Sequence, residues 1–134
     1  GIPDTEIKVS QLPPNCFVHG WTGTAELIDY LKSMDVFVFP TTFEGSSYAI
    51  YQAMALKLPV ITTLNSGTVL TPGESCEIVE VGDKTGLLNA MDKLFQDPEY
   101  RQKLAERAYA LSGQYSWNDY TIRLEKILNE SYIH

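Results

Sequence analysis

Residues 36–61 constrain the fold of this chain more than any other stretch. An apolar run at residues 36–39 stops at Pro40, and a polar turn carrying Glu44, Gly45, Ser46 and Ser47 follows. A helix-compatible segment then covers residues 47–57, and Leu58-Pro59 leads into a second apolar run at residues 60–63. The pattern reads strand, loop, helix, strand. Two buried strands joined through a helix lie parallel, because a tight turn can join only antiparallel neighbours. The loop feeds the helix N-terminus, where backbone N–H groups lack intrahelical acceptors and the helix dipole favours an anion. Residues 45–47 are therefore candidates to cradle a phosphate. Glu44 stands at the mouth of the crevice where open parallel sheets hold their ligands.

The alternation extends in both directions. Residues 1–14 read as a polar, proline-punctuated lead-in, and residues 15–20 (Asn15-Cys-Phe-Val-His-Gly20) as a first strand. Thr24 is a candidate N-cap for a helix with Leu27, Ile28, Leu31 and Met34 at helical spacing. The segment at 47–57 is apolar nearly all round, which predicts a buried helix. A turn-rich loop with Asn65, Gly67, Pro72 and Gly73 separates residues 60–63 from a short strand at 78–81, ended by Gly82-Asp83. The last third is helical. Leu87, Leu88, Met91, Leu94 and Phe95 share one face of a first helix. Asp97-Pro98 gives a cap followed by proline at the first helical position of a second, carrying Tyr100, Leu104, Ala108 and Leu111 and stopped at Gly113. Ser116 caps a third with Trp117, Tyr120, Leu124, Ile127 and Leu128 expected inward. The expectation is one α/β domain over residues 1–134, a Rossmann-like parallel sheet of about four strands flanked by helices (core 15–83), with a helical C-terminal third over 84–132. A chain that opens inside such an alternation is expected to be part of a longer one.

Composition narrows the partners. The chain has 134 residues, enough for one core, and a net charge of −7, which disfavours nucleic acid or an anionic membrane surface as partner. Cys16 and Cys76 are expected to be buried, reduced thiols of a cytoplasmic protein. No apolar run approaches the ~20 residues of a membrane-spanning helix, and the start has neither the basic head nor the apolar body of a signal peptide. No Cys/His spacing suggests zinc, no dinucleotide or Walker loop is present, and no metal or other cofactor is expected.

In order and spacing the residues resemble the C-terminal, donor-binding half of a retaining GT-B glycosyltransferase of the "glycosyl transferases group 1" family. Phe17-Val-His-Gly20 resembles the strand whose glycine closes the base pocket. Residues 31–40, around Met34-Asp-Val36, resemble the strand ending in proline. Glu44-Gly-Ser-Ser-Tyr48 resembles the family's Glu-Gly-Phe-Gly loop, and Gln52-Ala-Met-Ala-Leu-Lys-Leu-Pro-Val60 the helix and strand after it. Val81-Gly-Asp83, Asp97-Pro98 and Tyr115-Ser-Trp117 fall where the closing motifs do. The resemblance covers residues 16–132.

It implies a nucleoside-diphosphate sugar, UDP- or GDP-type, as donor, and a glycan or lipid-linked acceptor. It also implies transfer with retention, in the cytoplasm or peripherally at the inner face of the membrane. Glu44 would be the catalytic-site acid that binds sugar hydroxyls. Gly45, Ser46, Ser47, Tyr48, Gly20 and Trp21 would line the donor site, and position 52 would hold the two ribose hydroxyls. The family has a second glutamate there, seven residues beyond the first; here it is Gln52. A neutral amide in place of a carboxylate lowers donor affinity by about 1–2 kcal/mol. Ser46-Ser47 replace the usual Phe-Gly.

The Arg and Lys that clamp the diphosphate in this family, and its acceptor domain, have no counterpart in these residues, so the chain alone is expected to be inactive. Structural readings compete at each position: Glu44 as a helix-start acid, Gln52 as part of an internal network, Ser46 and Ser47 as caps, His19 and Trp21 as packing residues. A sugar-nucleotide epimerase of the same fold, or a non-catalytic α/β regulatory domain, are the alternatives. The second would carry an acidic phosphoacceptor cluster at a strand end, and none is present.

Overall fold

The computed structural model describes residues 12–20 and 22–131. Helix α1 (Thr24–Lys32) leads to β1 (Phe37–Phe39), α2 (Tyr48–Ala55) and β2 (Val60–Thr62). A 3-10 turn at Leu64–Ser66 and β3 (Glu77–Ile78) follow, then α3 (Lys84–Gln96), α4 (Pro98–Ser112) and α5 (Trp117–Ser131). The strands form one parallel sheet ordered β1-β2-β3, with Phe37 opposite Val60 and Ile61 opposite Glu77. The expected α/β architecture is present, with three strands where about four were expected.

Central β2 is fully buried, as a parallel strand covered on both faces must be. Its alternation splits the core. Val60 packs with Leu31, Ile50, Met54 and Cys76 on one face, while Ile61 packs with Val79, Leu94 and Leu104 on the other. Helix α4 serves both layers, Leu104 in one and Ala108 in the other.

Helix ends follow local chemistry. Asp83 and Asp97 accept from the Gly86 and Tyr100 amides at the starts of α3 and α4. Ser116 and Asp119 form a reciprocal capping box at α5, with the Asp119 N–H on Ser116 Oγ and the Ser116 N–H on Asp119. Helix α2 ends in a Schellman motif, the Leu58 N–H on Ala53 and the Lys57 N–H on Met54. Lys57 occupies the left-handed position, φ 57°, where glycine is usual, and its ammonium lies 4.7 Å from the Tyr109 ring centroid.

Several sequence expectations are corrected. Residues 15–20 form no strand: a ladder needs a neighbour, none of the described residues supplies one, and Phe17 is 79% exposed. His19 rests against Tyr30 of α1 instead, ring centroids 4.3 Å apart. Gly23, not Thr24, caps α1. The last strand is two residues, Glu77–Ile78, instead of 78–81: its ladder closes with the Val79 N–H on the carbonyl of Thr62, where β2 itself ends. Helix α2 is buried along Ile50, Ala53 and Met54, but Tyr48 and Ala55 are exposed. In α3 the buried line is Ala90 and Leu94; Leu88, Met91 and Phe95 sit around the helix from it and remain exposed. The inward face expected of α5 is exposed at Trp117, Tyr120, Leu124, Ile127 and Leu128. Helix α4 does end before Gly113, though with a right-handed Gly113, φ −61°. Cys76 is buried and Cys16 exposed, both free. Among the described residues no helix is long and apolar enough to cross a membrane.

Candidate functional site

The loops leaving β1 and β2 meet at the carboxyl end of the sheet. Residues 40–47 are held there by the turn after β2, residue by residue. Thr63 Oγ1 donates to the Thr41 carbonyl (2.6 Å), and the Asn65 side-chain amide to the Thr42 carbonyl (2.8 Å). The Glu44 N–H donates to the Asn65 carbonyl (2.8 Å) and the Ser47 N–H to the Ser66 carbonyl (3.3 Å). Gly67 closes the bracket with φ 62°; a Cβ on it would lie 2.2 Å from the Gly45 carbonyl oxygen. Only glycine permits that approach.

This bracket fixes the backbone of Glu44 and Gly45 while leaving the Glu44 side chain exposed, with no protein partner among the described residues. Gly45 borders open space, so none of the described residues requires a glycine there. Ser47 is buried as the N-cap of α2, its hydroxyl making no cap bond, and the Tyr48 and Ala49 amides open the helix where no intrahelical carbonyl reaches them.

Beyond the loop lies a groove of about 760 Å³ between α2 and the start of α5. Ser46, Tyr48 and Gln52 line its near side; Tyr115, Trp117, Tyr120 and Arg123 line the far side. Tyr48, Gln52 and Ala55 recur at the helical period on the face of α2 turned from the core, which is why they share the wall. Tyr51 connects the two sides: its hydroxyl accepts from Ser46 Oγ (3.4 Å), and its ring lies 5.7 Å from that of Tyr115. Gln52 is half-buried and its amide has no side-chain hydrogen bond among the described residues.

Among the described residues, Arg123 is the one charged side chain lining the groove. It donates to the Gln114 carbonyl (2.7 Å) and sits 5.2 Å from the Tyr115 ring centroid. Hydrogen bonds from Ser116, then the nearby Arg123 charge, hold the Asp119 carboxyl below its usual range. A second depression, about 450 Å³, lies beside β1 among Val36, Val38, Met91, Phe95 and Arg101.

The structure thus brings Ser46, Tyr48 and Gln52 to one groove and sets Glu44, Gly45 and Ser47 in the loop at its edge. Gly20 is exposed, meets nothing within 4 Å of a Cβ, and does not line the groove. Trp21 lies outside the described residues. The sequence reading missed Asn65, Ser66 and Gly67 as supports. Their signal was available, since the turn after β2 must emerge at the same sheet end as the loop after β1. It also missed Tyr115, Tyr120 and Arg123. Among the described residues no three His, Cys, Asp or Glu side chains converge as a metal site would require.

Comparison with known proteins identifies the family and the fold. The chain is 33% identical, over 78% of its length, to a capsular polysaccharide biosynthesis glycosyltransferase of Staphylococcus aureus, covering 29% of that protein. It is 32% identical, over 72% of its length, to a lipopolysaccharide core biosynthesis glycosyltransferase of Rhizobium meliloti, again covering 29%. The chain therefore spans less than a third of the curated relatives it matches. Its fold is that of the C-terminal domain of a glycosyl transferase group 1 family protein from Francisella tularensis, with a TM-score of 0.68 at 24% identity over 73% of this chain and 51% of that one. The model of that family, Glycosyl transferases group 1, matches residues 2–97, and the chain belongs to it.

Proposed function

We propose that this chain is the donor-binding part of a glycosyltransferase that moves a sugar from a nucleoside diphosphate sugar, UDP- or GDP-type, to a glycan or lipid-linked acceptor with retention of configuration. One observation carries the reading: in a chain of this family, the Glu44-to-Ser47 loop is pinned by backbone bonds at the carboxyl end of a parallel sheet, against the open first turn of α2. The free amides of Tyr48 and Ala49 and the helix dipole suit a phosphate oxygen. Exposed Glu44 is placed to accept from sugar hydroxyls, and Gln52, one turn into α2, from a ribose hydroxyl through its carbonyl. The names of the relatives, which make capsular polysaccharide and lipopolysaccharide core, support a glycan or lipid-linked acceptor. The cationic diphosphate clamp and the acceptor domain belong to the remainder of the parent enzyme, cytoplasmic or peripheral on a membrane, so this chain alone turns nothing over.

Nuclear magnetic resonance titration with UDP- and GDP-sugars tests the reading. Amide signals of residues 44–48 and 52 should move, with an affinity on the order of millimolar because a chain of net charge −7 repels the donor. Shifts confined to α3 and α4 would refute it.

A further inference from the structure

We propose that Gln52 makes the donor site indifferent to the 2′-hydroxyl, so that 2′-deoxyribonucleoside diphosphate sugars suit this chain as well as ribonucleoside ones. This rests on the donor reading above and names the class of donor that the site admits.

Helix geometry brings the pentose to Gln52. A phosphate on the Tyr48 and Ala49 amides sits at the first turn of α2. Gln52 follows one turn later, about 6 Å along the axis from Tyr48 at 1.5 Å per residue. The hydroxyls of a nucleotide's pentose lie a comparable span from the phosphate on its 5′ oxygen. Tyr48 and Gln52 also share the α2 face that lines the groove. A nucleotide anchored at the helix start therefore meets Gln52 with the hydroxyl edge of its pentose.

What that edge meets is an amide. Two neighbouring hydroxyls are held best by a carboxylate, which accepts from both at once through charge-assisted bonds. Among the described residues no aspartate or glutamate lines the groove, and Glu44 stands in the loop at its edge. Gln52 has one carbonyl oxygen to accept from one hydroxyl and an NH₂ that can only donate. The second hydroxyl of a ribose thus adds a single neutral bond. Ser46 and Tyr48, on the same wall, can offer it no more than that. Facing 2′-deoxyribose, the Gln52 NH₂ is not stranded, because the residue is only half-buried and water in the groove takes the place of the missing partner. A glutamate at this position would read the lost hydroxyl; the glutamine does not.

Titrations of the 134-residue chain with UDP, 2′-deoxy-UDP and 2′,3′-dideoxy-UDP, followed through the amide signals of residues 44–48, provide the test. In the unmodified chain UDP and 2′-deoxy-UDP should bind within about threefold of each other, the loss of one neutral bond, and the dideoxy nucleotide several-fold more weakly. In Gln52→Glu the gap between UDP and 2′-deoxy-UDP should open to about tenfold, the loss of a bond to a charged acceptor. A gap wider than threefold in the unmodified chain overturns the inference and leaves the donor reading standing. So does equal binding of all three nucleotides, or a gap that a folded Gln52→Glu leaves unchanged. If Gln52→Glu does not fold, Gln52→Ala decides: it should weaken UDP and 2′-deoxy-UDP alike and spare the dideoxy nucleotide. Gln52→Ala with all three affinities unchanged overturns the inference. UDP that moves none of the signals of residues 44–48 in the unmodified chain is a different failure, that of the donor reading itself, and the inference falls with it.

Discussion

Replacing Gly67 by alanine should damage the candidate site without touching any residue that faces a ligand. Two costs combine. Gly67 has φ 62°, and an alanine held there pays about 1–2 kcal/mol for the left-handed conformation. The new methyl carbon would also sit 2.2 Å from the Gly45 carbonyl oxygen and 2.8 Å from its carbon, where 3.4 Å begins ordinary contact. One backbone must retreat by about an ångström, an overpacking cost of roughly 1–3 kcal/mol. The sum, about 2–5 kcal/mol, falls on the bonds that bracket the loop, Glu44 to Asn65 and Ser47 to Ser66. Gly73→Ala separates the terms, because Gly73 has φ 71° and open space around it and should lose only the conformational part. Urea denaturation of both variants, with amide spectra of residues 44–47, provides the measurement. Equal losses in the two variants, with the loop signals of Gly67→Ala in place, would refute the contact argument.

Gln52→Glu should tighten UDP several-fold by offering a charged acceptor to the ribose hydroxyls, and do nothing for a 2′,3′-dideoxy nucleotide. A mutant that binds both no better and melts lower would instead make Gln52 a packing residue. Incubated with radiolabelled UDP- or GDP-sugar and acceptor glycans, the chain alone should release no product; turnover would show that a second domain is dispensable. Cys16 should react with a thiol reagent at once and Cys76 only on unfolding. Burial, and secondarily the Glu77 charge, push the Cys76 thiol up to about 12 from 9.0. Below pH 9 both states keep that proton; between 9 and 12 only the unfolded state gives it up, so stability falls by about 1.4 kcal/mol per pH unit. Tyr100, raised by burial and then by its bond to Glu77, and Lys93, raised first by its bond to Glu77, are also protonated more tightly when folded and steepen the same alkaline loss. Cys76→Ala should remove the thiol's share of the slope, as denaturation at pH 8 through 11 would reveal; an unchanged slope would contradict it.

The central β1-α2-β2 unit was legible because each boundary carries its own chemistry: apolar runs of the right length, Pro40, Pro59, and Ser47 at the helix start. The capping aspartate Asp97 and the Ser116 cap were legible for the same local reason. What failed depended on partners. Residues 15–20 have a strand's composition, but a ladder is a property of two segments, and the second is missing from the described residues. The spacing of Trp117, Tyr120 and Leu124 states that a helix has an apolar side, never what will cover it. Gly67 looked like any loop glycine, since its constraint comes from a carbonyl more than twenty positions earlier. Half the groove was therefore visible beforehand, through Ser46, Tyr48 and Gln52. The α5 half waited on the angle at which residues 113–116 turn the chain.

The bracket around residues 41–47 also bears on how such a site changes over generations. Its hydrogen bonds reach the main chain of the loop, at Thr41, Thr42, Glu44 and Ser47, and ask nothing of the loop's own side chains. Where the loop stands is written in Thr63, Asn65, Ser66 and Gly67; under the donor proposal, what it offers a ligand is written in Glu44 and Ser46. The two texts can be edited separately. A serine pair can replace Phe-Gly, and Ser46 can change again, without moving the scaffold beneath. Drift in the Thr63-to-Gly67 turn would instead displace the whole loop at once, so sequence diversity should accumulate in the loop while its neighbour stays still.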